Sequence, residues 1–291
     1  MLMSVKHKTI EVSLAAKDAV PGVDELLRRV FLSAGCDPVD ITQYADEKGV
    51  CVSVYLSSMK KAEKIRQDIR DLFLRGVRLT AKSLSQEDWQ DLWKKEIMPF
   101  PLTKQFDVVP VWHREKYKPG HRTPILIDTS FVFGTGLHET TRFVAELIEE
   151  KRGRFNEFFD IGTGTGLLAV VALKCGAVRA DAVDIVPESI RLARYNAGIN
   201  KEKISWARAG DFGKMKVPRK YDFVTANLIT HDLIRMRRKI VARVKKGGYL
   251  AVSGISLANA GLVRRHFRKS PLRCLKIKKG EKWAAFLYKR I

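Results

Sequence analysis

The chain has 291 residues, of which 45% are hydrophobic and 30% are charged. This length suggests about two domains, and this composition excludes a disordered chain. The four cysteines, Cys36, Cys51, Cys175 and Cys274, form no Cys-x-x-Cys pair. Their spacing excludes a zinc ribbon or a disulfide scaffold and fits a reducing compartment. The longest apolar run, Leu167 to Leu173, is too short to span a bilayer, so we expect a soluble cytosolic protein.

The charge is unevenly distributed along the chain. There are 54 lysines and arginines against 32 acidic residues, a formal net charge of +22. Residues 214–291 hold 22 of the basic residues and only 3 acidic ones. This excess favours a polyanionic partner, with nucleic acid ahead of a membrane surface. The alternative is a solvated surface that only keeps the protein in solution.

Residues 8–85 predict a small α/β unit with the order β-α-β-β-α-β, which is the ferredoxin-like pattern. The predicted strands and the starts of the two helices are Thr9–Leu14, Pro21-Gly22, Val39–Tyr44, Val50–Leu56, Ser57-Ser58 and Val77–Leu84. We assign residues 1–85 to this domain. Residues 86–125 are predicted to be a linker, with one helix carrying Trp89, Trp93 and Ile97 and one strand at Phe106–Trp112.

Residues 126–291 predict a second domain in which strands and helices alternate. The predicted elements are Phe158–Ile161, Leu167–Cys175, Ala180–Ile185, Pro187–Ala197, Tyr221–Ala226, Leu233–Val244 and Tyr249–Ser253, with Gly247-Gly248 ending the last helix. Such alternation indicates a doubly wound, Rossmann-like α/β sheet with parallel strands. A ligand is expected at the carboxyl ends of these strands.

A glycine-rich turn follows the first predicted strand of this sheet, in the segment Asp160-Ile-Gly-Thr-Gly-Thr-Gly166. The nicotinamide fingerprint needs a third glycine where Leu167 stands, so that fingerprint fails by one residue. Asp160 would repel a pyrophosphate but hold a cofactor ammonium, and Asp184 ends the next strand, where a carboxylate binds ribose hydroxyls. Two carboxylates around Gly162 and Gly164, without a phosphate-binding lysine, indicate S-adenosylmethionine as the cofactor.

Two further positions at strand ends are candidates for the same site. Asp211-Phe212 follows the third predicted strand, where a carboxylate would meet an adenine amino group beside an aromatic ring; a surface loop is the alternative. Asn227 closes the fourth strand, where the transferable methyl group would lie. Its carbonyl oxygen is suited to orient a nucleophilic nitrogen, and a helix cap is the competing interpretation.

These motifs together resemble one known family. The strings Phe-Gly-Thr-Gly-Leu-His-Glu-Thr-Thr (133–141), Ala226-Asn-Leu228 and Ser253-Gly-Ile255 accompany the glycine turn. The combination is similar to the PrmA family of ribosomal protein methyltransferases, which methylate amines of a stalk-base protein of the large subunit. The resemblance implies a class I methyltransferase fold, a substrate-recognising N-terminal domain, and cofactor contacts at Thr141, Gly162, Asp184 and Asn227.

The function predicted from this is methyl transfer to lysine or N-terminal amines, with a ribosomal protein as substrate and Asn227 as the catalytic residue. His138 could accept a proton from the amine, but a loop-fixing role is favoured. Two alternatives stay open: an RNA methyltransferase, and a ribosome- or RNA-binding module with a relic cofactor pocket. Against the first, Asn227-Leu-Ile-Thr230 lacks an aromatic clamp for a flipped base.

The basic third of the chain gives a separate prediction. The helix over Leu233–Lys246 places its apolar residues on one side, so Arg235, Arg238 and Lys239 are expected to project outward. We predict that this surface contacts ribosomal RNA beside the protein target. No membrane partner is expected.

Overall fold

The structure is a computed structural model. It describes residues 9–16, 23–36, 41–46, 49–56, 58–70, 77–84, 97–128, 136–217 and 219–291. The chain divides into two compact units, Met1–Glu96 and Ile97–Ile291. Among the described helices, none has the length and apolar character needed to cross a membrane.

The first unit has the predicted β-α-β-β-α-β order. Its elements are β1 (Thr9–Ala16), α1 (Val23–Ser33), β2 (Ile41–Asp46), β3 (Gly49–Leu56), α2 (Met59–Arg70) and β4 (Val77–Leu84). The strands form an antiparallel sheet in the order β2-β3-β1-β4. Ile10, Val12 and Leu14 alternate into the core, where Leu27 and Phe31 of α1 cover them. This period of two in β1 fixes which face of the strand is buried.

The second unit begins earlier than the sequence predicts. Strands β5 (Phe100–Pro101), β6 (Phe106–Pro110) and β7 (Thr123–Ile127) form a three-stranded sheet inside it. Phe106 and Ile125 are buried in the same core as the helices of the large sheet. Residues 97–125 are therefore part of the second unit and not a linker, because their apolar side chains need that core for burial. The predicted helix around Trp89 and Trp93 lies outside the described residues.

The second unit is built on a seven-stranded sheet with helices on both faces. Its strands are β8 (Glu157–Ile161), β9 (Arg179–Asp184), β10 (Ile204–Ala209), β11 (Tyr221–Asn227), β12 (Val244–Ser256), β13 (Leu272–Lys279) and β14 (Trp283–Arg290). Its helices are α3 (Glu139–Glu149), α4 (Leu167–Lys174), α5 (Pro187–Ile199), α6 (Thr230–Ala242) and α7 (Leu257–Phe267). The strand order is β10-β9-β8-β11-β12-β14-β13. Consecutive strands thus run outward in both directions from β8, which confirms the doubly wound arrangement.

Two details of the sheet differ from the prediction. The five neighbouring strands β10, β9, β8, β11 and β12 are parallel, whereas β14 pairs antiparallel with both β12 and β13. Helix α6 ends at Ala242, and Gly247-Gly248 lie within the β12 segment instead of ending the helix. The helical spacing of apolar residues continues past Ala242 into the basic turn, so this spacing alone predicts a helix that is too long.

The central strands are buried on both faces. Phe158 and Phe159 are adjacent on β8 and fully buried, yet they belong to different cores. Phe158 packs on the side of α3, α4 and α5, whereas Phe159 packs on the side of α6 and α7. Both faces of β8 are therefore covered, which explains its continuous apolar sequence. The strand order reverses between β8 and β11, so a crevice is expected at their carboxyl ends.

Candidate active site

A cavity of about 340 Å³ lies at this reversal point, at the carboxyl ends of β8, β9, β10 and β11. This volume is within the range of small-molecule sites. The lining residues are Ile161, Gly162, Gly164, Val183, Asp184, Ile185, Val186, Ser189, Gly210, Asp211, Phe212, Asn227, Leu228, Asp232, Arg235 and Met236. Five sequence-predicted residues line it: Gly162, Gly164, Asp184, Asp211 and Asn227.

The glycine turn forms one wall of the cavity. Gly162 and Thr163 donate from their backbone N–H groups to the Val183 carbonyl, which ties the turn to the end of β9. Gly162 and Gly166 have φ values of +76° and +81°, a backbone region that favours glycine. A Cβ atom on Gly166 would lie 2.7 Å from the Ala193 backbone of α5. The turn therefore needs glycine for its backbone conformation and for its contact with α5.

Asp184 connects the turn to the end of β9. Its Oδ2 accepts a 2.9 Å hydrogen bond from Gly164 N, and its Oδ1 accepts one of 2.9 Å from Val186 N. Each carboxylate oxygen has a second acceptor site, and the residue lines the cavity. Asp184 is thus held by the backbone in a position suited to accept the two hydroxyls of a ribose.

Asp160 lies behind the turn and does not line the cavity. It is fully buried, and Thr163 and Thr225 donate hydroxyl hydrogen bonds of 2.8 and 2.7 Å to its two oxygens. Burial raises the pKa of the Asp160 carboxyl group to about 6, against the lowering effect of the two threonine hydrogen bonds. Its observed role is to hold the glycine turn on the sheet, so the predicted direct contact with a cofactor ammonium stays a prediction.

Apolar side chains and one carboxylate form the outer part of the cavity. Ile185 and Val186 are 70% and 46% exposed and line it together with Phe212. Asp211 accepts a 2.7 Å hydrogen bond from Gly213 N and remains at the cavity surface. An apolar slot beside a carboxylate suits a purine ring whose amino group donates a hydrogen bond. Asp211 and Phe212 are therefore part of the cavity and not a remote surface loop.

Asn227 and Thr141 join β11 to α3. Asn227 Nδ2 donates a 3.2 Å hydrogen bond to Thr141 Oγ1, and Thr141 is buried in the first turn of α3. With its amide nitrogen engaged there, Asn227 keeps its carbonyl oxygen as an acceptor at the cavity. Thr141 does not line the described cavity, so its predicted cofactor contact stays a prediction. Residues 133–135 of the same motif lie outside the described residues.

His138 has a structural role that its position explains. It is the N-cap residue of α3, and its Nδ1 accepts a hydrogen bond of 3.3 Å from Thr140 N. Its ring contacts Trp283 edge-on, with centroids 5.0 Å apart. Burial lowers the pKa of His138, although Glu139 opposes that shift. These contacts favour the loop-fixing interpretation over proton acceptance.

The first turns of α6 supply three lining residues that no sequence motif assigns to the site: Asp232, Arg235 and Met236. Arg235 is exposed, as the helix pattern predicts, and its guanidinium also donates to Asp232 Oδ1 at 2.8 Å. Because α6 follows β11, its amino-terminal turns must lie at the carboxyl end of the sheet. That topology, together with the i,i+3 spacing of opposite charges, is the signal that could have identified them.

The residues present fit S-adenosylmethionine. Asp184 and Asp211 would repel a pyrophosphate, and Arg235, the one cation among the described lining residues, is paired with Asp232. A nucleoside with an amino-acid tail needs an apolar slot, a carboxylate for the ribose and a glycine turn that permits close approach. The described cavity offers all three.

Comparison with known proteins gives the same result. The model of the family "Ribosomal protein L11 methyltransferase (PrmA)" matches residues 29–291. The ribosomal protein L11 methyltransferase of Geobacter metallireducens is 32% identical over 72% of this chain and 68% of its own length. That of Alkaliphilus oremlandii is 31% identical over 87% of this chain and 83% of its own.

A solved structure agrees with these relatives. The crystal structure of a ribosomal protein L11 methylase from Lactobacillus delbrueckii subsp. bulgaricus is 25% identical, with a TM-score of 0.60, and the match covers 67% of this chain and 99% of that one. The family, the fold and the cavity are thus consistent with one another. The chain belongs to the ribosomal protein L11 methyltransferase family of S-adenosylmethionine-dependent methyltransferases.

Proposed function

We propose that this enzyme transfers methyl groups from S-adenosylmethionine to amines of ribosomal protein L11, on lysine side chains, the N-terminus or both. The substrate is supported by the names of the relatives with which the chain shares about 31–32% identity. When bound, the cofactor would supply an electrophilic methyl group on its sulfonium; a neutral amine would form the new N–C bond in line as the S–C bond breaks and the thioether leaves. Such a displacement depends mainly on positioning and on exclusion of water.

The observation that carries the proposal is the orientation of Asn227. Its side-chain nitrogen donates to Thr141, which leaves the carbonyl oxygen to accept a hydrogen from an incoming amine. That contact would aim the nitrogen lone pair at the methyl group, and it would strengthen as positive charge develops on the nitrogen. A hydrogen bond to a charged group contributes about 1.5–3 kcal/mol, so Asn227→Ala should lower kcat by roughly 10- to 150-fold.

We further propose that residues 1–85 recognise the protein substrate. The predicted and observed cofactor-cavity residues all belong to the second unit, which has its own cores. The first unit has a separate core beneath a four-stranded sheet. A domain that is not needed to hold the cofactor is free to bind the protein that is methylated.

We also propose that the basic third of the chain contacts ribosomal RNA, through a narrower set of residues than the sequence suggests. Arg235 is paired with Asp232, and Lys239 donates to the Gly213 carbonyl at 2.8 Å. Other basic residues are exposed and have no carboxylate partner among the described residues: Arg238, Arg264, Arg265, Arg268 and Lys269. These five side chains are among those available to phosphates.

The test is methyl transfer from radiolabelled S-adenosylmethionine to isolated L11 and to whole ribosomal particles, followed by separation of protein from RNA. We expect label in L11 alone. Label in the RNA fraction would instead indicate an RNA methyltransferase. Absence of label from both fractions would indicate a binding module.

A further inference from the structure

A second cavity, of about 400 Å³, lies at the opposite end of the sheet from the cofactor cavity. One lining segment directly precedes β8, a second lies near the start of β12, and a further residue lies at the start of β11. The lining residues are Gly153, Arg154, Phe155, Asn156, Asp222, Lys246, Gly247, Gly248 and Tyr249. Each segment is a basic glycine turn, Lys-Arg-Gly-Arg at 151–154 and Lys-Lys-Gly-Gly at 245–248.

Two cations line this cavity, and two more lie against one of its wall residues. Arg154 and Lys246 line it and are exposed to solvent. The ammonium groups of Lys151 and Lys289 lie 5.5 and 5.9 Å from the centroid of the Tyr249 ring, which forms part of the wall. The four cations come from three separate segments of the chain, so the sequence pattern of the basic C-terminal third does not reveal the group.

The carboxylates near this cavity are already engaged. Asp222 accepts hydrogen bonds from Asn156 N and Glu157 N at 3.0 and 2.8 Å, and it forms an ion pair of 2.9 Å with Lys245. Glu157 pairs with Lys245 and Arg219. Within the described part of the chain, the four cations therefore have no carboxylate partner. Like charges gathered around one cavity repel one another, and a polyanion would relieve that repulsion.

The walls favour a phosphate over a nucleobase as the bound group. Tyr249 is only 9% exposed, and two ammonium groups already lie over its ring, so it offers no open face for base stacking. Lysine and arginine side chains around a polar cavity are the usual contacts to backbone phosphates. The expected ligand is thus bound without regard to sequence.

We propose that this cavity binds phosphates of an RNA backbone. The inference rests on the proposed function in one respect, that the enzyme works next to ribosomal RNA. β11 has seven residues, so roughly 20 Å separates its two ends. RNA bound at the amino end of the sheet therefore leaves the cofactor cavity open to the protein substrate.

The test is the affinity for a fluorescently labelled RNA duplex of mixed sequence, measured by anisotropy over a salt series. The full-length wild type is compared with the double variant Arg154→Gln/Lys246→Gln. The matched control, Lys203→Gln/Arg208→Gln, removes one lysine and one arginine that are exposed at the far edge strand β10. The side chains of Arg154 and Lys246 have no hydrogen bond or ion pair with described residues, so the first variant should fold normally.

Each phosphate contact contributes about 0.9 to the slope of log affinity against log salt. We therefore expect the Arg154/Lys246 variant to have a slope shallower by about 1.8 and an affinity lower by roughly 10- to 100-fold at 0.1 M salt. The control variant should keep the wild-type slope. Equal slopes in the two variants, or a wild type that does not bind the duplex, would overturn the proposal.

Methyl transfer to isolated L11 separates this proposal from the proposed function. We expect the Arg154/Lys246 variant to methylate isolated L11 at the wild-type rate. A reduced rate on isolated L11 would show that the cavity serves the protein substrate and would overturn the RNA assignment. A wild type that binds RNA but does not methylate L11 would refute the proposed function and leave the RNA site standing.

Discussion

Replacing Asp184 should weaken cofactor binding and loosen the glycine turn in one step. Its carboxylate accepts from Gly164 N and Val186 N, and it faces the cavity where a ribose would lie. Asp184→Ala removes the acceptors for both backbone N–H groups as well as those for the ribose hydroxyls. Asp184→Asn keeps one oxygen and changes the volume little.

The magnitudes follow from these contacts. Losing hydrogen bonds to a charged acceptor costs about 1.5–3 kcal/mol, which corresponds to a cofactor affinity lower by about 10- to 150-fold. A backbone N–H left without a partner in Asp184→Ala costs a further ~1–3 kcal/mol of folding free energy. Asp184→Asn should therefore lose affinity with a smaller loss of stability than Asp184→Ala.

Calorimetric titration with S-adenosylmethionine measures the affinity, and denaturant unfolding measures the stability. Asp222→Asn is the matched control, because Asp222 also accepts from two backbone N–H groups but lies at the other end of the sheet. We expect that control to lose stability and keep its cofactor affinity. A folded Asp184 variant that binds the cofactor as tightly as the wild type would refute the ribose assignment.

Three further predictions concern the support of this site and the role of the first unit. The folded pKa of Asp160, about 6, lies above its ordinary 3.8, so its contribution to stability is present below about pH 4 and is lost as the pH rises through 6. The unfolding free energy of the wild type, measured relative to Asp160→Asn, should therefore fall by about 2 kcal/mol between pH 4 and 7. Parallel curves for the two proteins would contradict this. Gly166→Ala should destabilise the protein by about 2–4 kcal/mol, because the added Cβ would clash with the α5 backbone and the residue would keep a φ of +81°. Gly198→Ala, within α5, has open space around the added Cβ and should stabilise the protein by about 0.5–1 kcal/mol. Thermal unfolding that ranks the two variants in the reverse order would argue against the described turn. A chain of residues 86–291 should bind the cofactor in calorimetry yet fail to methylate L11, and a full rate in the transfer assay would assign residues 1–85 another task.

Much of the fold follows from short-range patterns that a sequence displays directly. The alternation of Ile10, Val12 and Leu14 predicts β1, and the position of Asp184 at a strand end predicts its place in the cavity. Both are local signals, because side-chain period and chain order determine them. The glycine turn is also a local signal, because three closely spaced glycines after a buried strand predict a tight turn with positive φ values.

The errors come from contacts between residues that are distant in the sequence. Residues 97–125 have loop-like stretches, and only burial of Phe106 against the helices of the large sheet makes them part of the second unit. The hydrogen bond from Thr225, 65 residues away, gives Asp160 a role in holding the glycine turn that local sequence does not show, while its cofactor contact stays a prediction. The sequence pattern also does not predict that Arg235 lines the cavity, because helix periodicity does not show which end of α6 meets it.

The central claim is that Asn227 positions an amine of L11 for methyl transfer. Mass spectrometry of isolated L11 after incubation with S-adenosylmethionine and either the wild type or Asn227→Ala tests it directly, with sites mapped by peptide fragmentation. We expect methyl groups on lysine or N-terminal amines with the wild type, and a rate lower by roughly 10- to 150-fold with the variant at unchanged cofactor affinity. Unmodified L11 with the wild type, or an equal rate with Asn227→Ala, would contradict the claim.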